Sequence, residues 1–134
     1  MAQIKITTLN DGPRNAIFHV ALRGDGTGDL VDEVLIDPAT SFDVPLPSVP
    51  CMRIERLTYD LTGFDAMLEF DYLATDTPIW TMTGDGGCEF DFGWFGGLAD
   101  RSLELDGSGK LLLSTSGLDL GSLGTLIVAV KKKL

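Results

Sequence analysis

Apolar and polar positions alternate with a period of two along most of the chain, which predicts a succession of β-strands. Gln3 to Leu9 sets Ile4 and Ile6 against Lys5 and Thr7, fitting either an edge strand or an amino-terminal arm over residues 1–9 docked on a neighbour. Asn15 to Arg23 carries Phe18, Val20 and Leu22 on one parity and Ile17, His19 and Ala21 on the other, so two largely apolar faces predict a central strand. Leu30 to Ile36 is apolar again. Cys51 to Thr62 changes phase, with Met52 and Ile54 on one parity and Leu57, Tyr59 and Leu61 on the other. A β-bulge near Glu55-Arg56 reconciles the two halves. A short helix is the rival, since Ile54, Leu57 and Leu61 also sit at helical spacing, but Thr58, Tyr59 and Thr62 favour a pleated surface. Phe64 to Tyr72 gives the cleanest alternation, Leu68, Phe70 and Tyr72 opposite Met67, Glu69 and Asp71, and predicts a half-buried strand. Ile79 to Met82 is a short apolar piece with Trp80, and Cys88 to Trp94 places Cys88, Phe90, Phe92 and Trp94 opposite Glu89 and Asp91. Lys110 to Thr115 and Thr125 to Lys132 follow, the latter so apolar through Leu126 to Val130 that it belongs inside a sheet.

Turn chemistry supports the same picture. Asp-Gly recurs at Asp11-Gly12, Asp25-Gly26, Asp85-Gly86 and Asp106-Gly107, a dipeptide suited to the positive φ of tight turns. Gly24 to Asp29 is too rich in glycine for regular structure. Residues 37–50 hold Pro38, Pro45, Pro47 and Pro50, which predicts an extended loop without regular pairing. About eight to ten short strands with no convincing helix and no fixed-period repeat predict an all-β protein, an antiparallel sandwich or barrel.

Length and charge narrow the classes. The 134 residues fit one domain, 1–134, with 44% hydrophobic and 22% charged residues, and that is enough chain to bury a core without staples. A formal net charge of -10 opposes attachment to nucleic acid or to anionic membrane, and no stretch approaches the length of a membrane span. Met1 to Leu9 lacks the continuous apolar run of a signal peptide. Cys51 and Cys88 have no CxxC spacing, so they read as reduced packing thiols or, alternatively, as one bridge.

Catalytic chemistry finds little to work with. His19, the one histidine, falls inside a strand between Phe18 and Val20 and reads as a packed or edge residue. Gly107-Ser108-Gly109-Lys110 resembles the end of a phosphate loop, but Glu104 stands where the first glycine belongs and Leu111 where Ser or Thr belongs. Glu69, Asp71, Glu89 and Asp91 would form an acidic stripe only on neighbouring strands, and alternating solvent-facing positions explain them equally well. Asp25 and Asp29, or the loop around Asp106, are the remaining candidates for a hard cation such as calcium, and neither loop has the full ligand series of an EF-hand. The reading is therefore not an enzyme, with no catalytic residue, metal or cofactor assigned. Aromatics carry the strongest binding signal. Phe90, Phe92, Trp94 and Phe95 lead into Gly96-Gly97, with Trp80 upstream, and if a strand continues through Trp94 and Phe95 one of the two emerges at the surface. Lys131-Lys132-Lys133 reads as a solubilising, edge-protecting end or as a contact for an acidic partner.

The order of motifs adds a resemblance. Thr8 to Asn15, Gly26-Thr27-Gly28-Asp29, Ile54 to Tyr59, Ala74-Thr75-Asp76-Thr77-Pro78, Phe95-Gly96-Gly97-Leu98 and Gly109 to Thr115 resemble small virion proteins of tailed bacteriophages. The resemblance implies a jelly-roll-like β-sandwich that decorates or cements the outside of a phage head. It implies the major capsid protein as partner, a homo-oligomer such as a dimer or trimer, and synthesis in the host cytoplasm before assembly on the virion. The candidate contact residues are Trp80, Trp94, Phe95, Pro45, Pro47, Ile4 and Ile6. A carbohydrate-binding or adhesin-like module using Trp80 or Trp94, and a phage tail or baseplate component, are the alternative readings.

Overall fold

The computed structural model describes residues 3–44, 52–72, 77–99 and 107–132. Among them are β1 (Ile4–Asp11), β2 (Asn15–Arg23), β3 (Glu33–Ile36), β4 (Met52–Thr62) and β5 (Asp65–Tyr72), then β6 (Thr77–Met82), β7 (Gly86–Asp91), β8 (Leu98–Ala99), β9 (Gly107–Ser116) and β10 (Leu123–Lys132), with one 3₁₀ turn at Gly93–Phe95. Every pairing is antiparallel, in two sheets. The wider sheet runs β1-β2-β10-β4-β7, with β8 also on β4, and the narrower runs β3-β9-β5-β6. The chain crosses between sheets from β2 to β3, β3 to β4, β4 to β5, β6 to β7, β8 to β9 and β9 to β10. With β2-β10-β4-β7 packed on β3-β9-β5-β6, this is the jelly-roll arrangement of a single β-sandwich.

Alternation in the sequence becomes the inner face. Ala16, Phe18, Val20 and Leu22 of β2, Leu126, Val128 and Val130 of β10, and Leu57 and Leu61 of β4 meet Leu68 and Phe70 of β5 and Leu111 and Leu113 of β9 in one buried cluster. Each valine, leucine and phenylalanine among them contributes about 1.5–3 kcal/mol by leaving water, which together offset the entropy of ordering the chain. Phe42 closes one end of the core against Phe18, ring centroids 5.8 Å apart. The phase change in β4 is a bulge: Ala129 pairs with Arg56 and Val130 with Ile54, so Glu55 is the extra residue. Both halves of β4 thus turn their apolar residues inward, and the helical alternative is excluded.

Other expectations are corrected. β3 starts at Glu33, later than the apolar run, because Leu30 and Asp32 instead donate backbone N–H to the hydroxyls of Thr115 and Ser114. Glu69 is buried at 7% exposure and accepts a hydrogen bond from Ser114 Oγ (2.9 Å), so it is not a solvent-facing position. The charged end of β10 protects no edge, since β10 lies between β2 and β4. Its inward parity carries Lys132 into the protein, where Nζ pairs with the Asp11 carboxylate, donates to the Gly12 carbonyl (2.8 Å) and sits 4.6 Å from the centre of the Phe42 ring. The stretch at residues 1–9 resolves as an edge strand from Ile4 onward, with Ile4 packed on the core and Ile6 37% exposed. Pro45 and Pro47 lie outside the described residues, as does Cys51.

Cys88 was expected to pack, and it does not. Its parity is inward, opposite Tyr59, but β7 ends the wide sheet and leaves the thiol exposed and free. In a Cys51→Ser variant, Ellman's reagent is therefore expected to consume a full thiol equivalent from the native protein, because exposure governs thiol reactivity. A thiol that reacts only in denaturant would contradict the edge position of β7.

Candidate functional site

The most exposed large aromatic side chain stands where β7 leaves the sheet. Trp94 is 84% and Phe95 49% exposed. The strand was expected to run on through Trp94. It ends at Asp91 because the Asp91 carboxylate accepts the Gly93 N–H (2.8 Å), an Asx turn that diverts the backbone. Phe92 N–H donates to the carbonyl of the bulge residue Glu55 (2.7 Å), and the Phe95 and Gly97 N–H groups return to the Phe92 carbonyl at 3.3 and 2.9 Å. Gly96 and Gly97 hold φ of 95° and 91°, a region that disfavours residues bearing Cβ. At Gly97 a Cβ would also lie 2.9 Å from the Ile54 carbonyl. β8 then pairs Leu98 and Ala99 with Ile54 and Arg53. Both ends of the aromatic turn are thus fastened to β4, and Arg53 Nη1 donates to the Gly96 carbonyl from the side (3.3 Å).

A ladder of rings braces the turn from inside. Tyr59 stacks on Phe90 (6.2 Å), and Trp80 of the opposite sheet sets its edge against Phe90 (4.8 Å) and Phe92 (4.9 Å). Phe92 touches Phe95 (6.2 Å) and Phe95 meets Trp94 edge-on at 4.8 Å. Burial within this ladder pushes the Tyr59 hydroxyl above its usual pKa. Trp80, taken from sequence as a surface candidate, is half-buried and joins the two sheets. Rigid aromatics bind with little loss of side-chain freedom, and offset or edge-on ring pairs hold them in place.

Beside the turn, the outer face of the wide sheet forms a groove of about 470 Å³. Its floor is Ile17, Ile127 and Ala129, and its wall is Glu55, Arg56, Glu89 and Asp91 with Gly93. Arg56 and Asp91 pair across the wall at 3.5 Å. His19 lies on this same face between Thr7 and Ile127, half-buried.

The proposed acidic stripe does not form. Glu69 and Asp71 stand on the outer face of the narrow sheet, Glu89 and Asp91 on the outer face of the wide one. Asp25 spends its carboxylate on the backbone and hydroxyl of Thr27, and Asp29 spends its own on Thr115 Oγ1 (3.0 Å) and Leu118 N–H (2.8 Å). Those hydrogen bonds hold both carboxyls below the usual carboxylate range. The two residues hold turns together, and no cluster suited to a metal ion occurs among the described residues. Of the sequence candidates, the structure brings Trp94, Phe95 and Trp80 into one aromatic assembly and leaves Ile4 and Ile6 on β1, at the opposite edge of the sheet. Sequence reasoning missed Arg53 and Glu55. A charged residue on the outward parity of a strand looks like any solvated position, and only the register shows what stands beside it.

Comparison with known proteins finds no matching family model and no matching curated sequence.

Proposed function

We propose that the protein is a structural virion protein that binds the outside of a bacteriophage capsid and stabilises it by noncovalent contacts across capsid subunits. The observation that carries this reading is the Trp94–Phe95 turn, an exposed aromatic pair fixed at both ends to β4 and braced by Phe92 and Trp80. Aromatic anchors of this kind dominate protein interfaces, and truncating one typically costs about 2 kcal/mol or more of binding. A stiff sandwich presenting such an anchor suits a cement role, in which many modest contacts repeated by symmetry resist rupture of a shell. The bacteriophage partner comes from the motif resemblance and the docking role from the turn. Purified protein added to undecorated capsids is expected to bind to a saturating stoichiometry and to raise the temperature at which the shells rupture. Shells that neither take up the protein nor gain heat resistance would rule the reading out.

One observation favours a second reading. The exposed Trp94 ring, next in the chain to Gly93 of the groove that Glu89 and Asp91 line, also suits stacking on a sugar with hydroxyls bound by carboxylates. Glycan-array binding that disappears on Trp94→Ala would support a carbohydrate-binding module instead.

A further inference from the structure

The wide sheet ends at β1, and among the described residues no strand pairs with its outer side. The Arg23 N–H donates to the Gln3 carbonyl (2.8 Å) and Ile4 stands opposite Leu22, which fixes the alternation of the β1–β2 ladder. Lys5 and Thr7 exchange their backbone bonds with Ala21 and His19, while Ile4, Ile6 and Thr8 turn N–H and C=O to the open edge. The register is unbroken from Ile4 to Thr8 and shifts only at Leu9. That stretch presents a row roughly 14 Å long, at about 3.4 Å per residue. The other edges are guarded. β3 has four residues and a register shift, β6 carries Pro78 at a register shift, and β7 has Gly86 and Gly87 at one end and Glu89 and Asp91 at the other. From Ile4 to Thr8 the only charge is Lys5, and isoleucine and threonine fill the remaining positions. β1 is also fastened at both ends. Gln3 donates from Nε2 to the Gly28 carbonyl (3.0 Å) and accepts the Asp25 N–H (3.1 Å), and Asp11 pairs with Lys132 and accepts the Asp43 N–H. An edge already held extended loses little freedom on receiving another strand. Ile6, of inward parity opposite Val20, is left 37% exposed, and a strand laid beside β1 would cover it.

We propose that β1 is a docking edge that takes an extended segment of another protein as the next strand of the wide sheet, a segment with β-branched residues at its centre and lysine or arginine at its ends. Strand addition follows from the backbone row, because the donors and acceptors of Ile4, Ile6 and Thr8 are spaced for an extended chain. The basic ends follow from charge. Asp25 lies beside the start of β1 and Asp43 beside its end, both exposed, in a chain of net charge -10. The same carboxylates oppose a second copy, since antiparallel pairing of two β1 strands would bring Asp25 of each towards Asp43 of the other. The edge lies across the sheet from the Trp94 turn, and the inference does not rest on the capsid reading.

The probe is the blocked peptide Arg-Thr-Val-Thr-Val-Thr-Arg, followed by residue-resolved amide hydrogen exchange on the full chain. The free protein is expected to protect the amides of Lys5 and Thr7 and to leave those of Ile4, Ile6 and Thr8 open, and the peptide to protect these three as well. A peptide with glutamate in place of both arginines is expected to bind at least ~10-fold more weakly. Ile6→Pro removes an outward donor and no bond to β2, a place where edge strands accept proline, and is expected to weaken the basic peptide at least ~10-fold. Circular dichroism checks that this variant is folded, and Ile6→Lys, an edge-guarding charge at a partly exposed position, carries the same comparison if it is not. Amides of Ile4, Ile6 and Thr8 that stay open at millimolar peptide overturn the proposal, as does equal binding of the acidic peptide or of the edge variants. Protection of the three amides that arises without peptide and grows with protein concentration would make the occupant a second copy and overturn it too.

Discussion

Lys132→Ala is expected to destabilise the protein by about 3 kcal/mol, read as a lower midpoint in urea unfolding, because it strands the Asp11 carboxylate in a nearly closed site. The two side chains retain only 6% and 10% exposure. The ammonium also holds the Gly12 carbonyl and the face of Phe42, so its loss reaches the β1–β2 turn and the loop after β3 together. The second Asp11 oxygen accepts the Asp43 N–H (2.7 Å), which ties that loop into the same knot. Asp11→Asn tests the electrostatic part while keeping the shape. The hydrogen bond from Lys132, and after it the one from Asp43, holds the Asp11 carboxyl below its ordinary value. A lowered folded-state pKa contributes stability that is present above the unfolded value, about 3.9, and is lost as pH falls through the folded one. The wild-type advantage over Asp11→Asn is therefore expected to be full at neutral pH and to shrink as acid unfolding is approached. Equal pH profiles for the two proteins would mean that the ion pair contributes nothing.

How much of this was legible depends on how local the cause is. The bulge was readable because β4 carries both phases of its own alternation, and a one-residue insertion is the smallest change that buries both. Strand number and turn spacing pointed to an antiparallel sandwich or barrel, and the jelly-roll order was implied only by the motif resemblance, because it rests on pairings between strands far apart in the chain. Lys132 was not readable: its partner lies 121 positions away, and a lysine at the end of an apolar strand looks like a solubilising terminus until the register places it inward. Exposure of Cys88 likewise depends on β7 being the last strand of its sheet, a matter of topology and not of the Cys88 neighbourhood in sequence. The end of β7 is a different case. Asp91 followed two residues later by Gly93 is ordinary turn chemistry, and weighing it above the parity of the aromatics would have placed both Trp94 and Phe95 outside the strand.

Trp80→Ala and Trp94→Ala are expected to separate stability from binding. Trp80 sits edge-on against two rings and bridges the sheets at their open edge, so removing it leaves Phe90 and Phe92 facing a void and costs about 3 kcal/mol of stability. Trp94 touches only Phe95 among the ring contacts and is mostly in solvent, so its removal is expected to change stability by no more than about 0.5 kcal/mol. Its effect falls on docking. If the turn is the capsid anchor, losing the indole weakens shell binding by about 30-fold, the equivalent of about 2 kcal/mol. These are the two tryptophans of the chain, so each single variant isolates the emission of the other. Trp80 alone should emit to the blue and resist acrylamide, whereas Trp94 alone should emit to the red and quench readily. A Trp94→Ala protein that unfolds as easily as Trp80→Ala would make the turn part of the core, and one that binds shells like the wild type would move the anchor elsewhere. Loss of shell binding with stability kept would fix the function to the turn itself, because the only change would be the ring that the turn and its ladder hold in solvent.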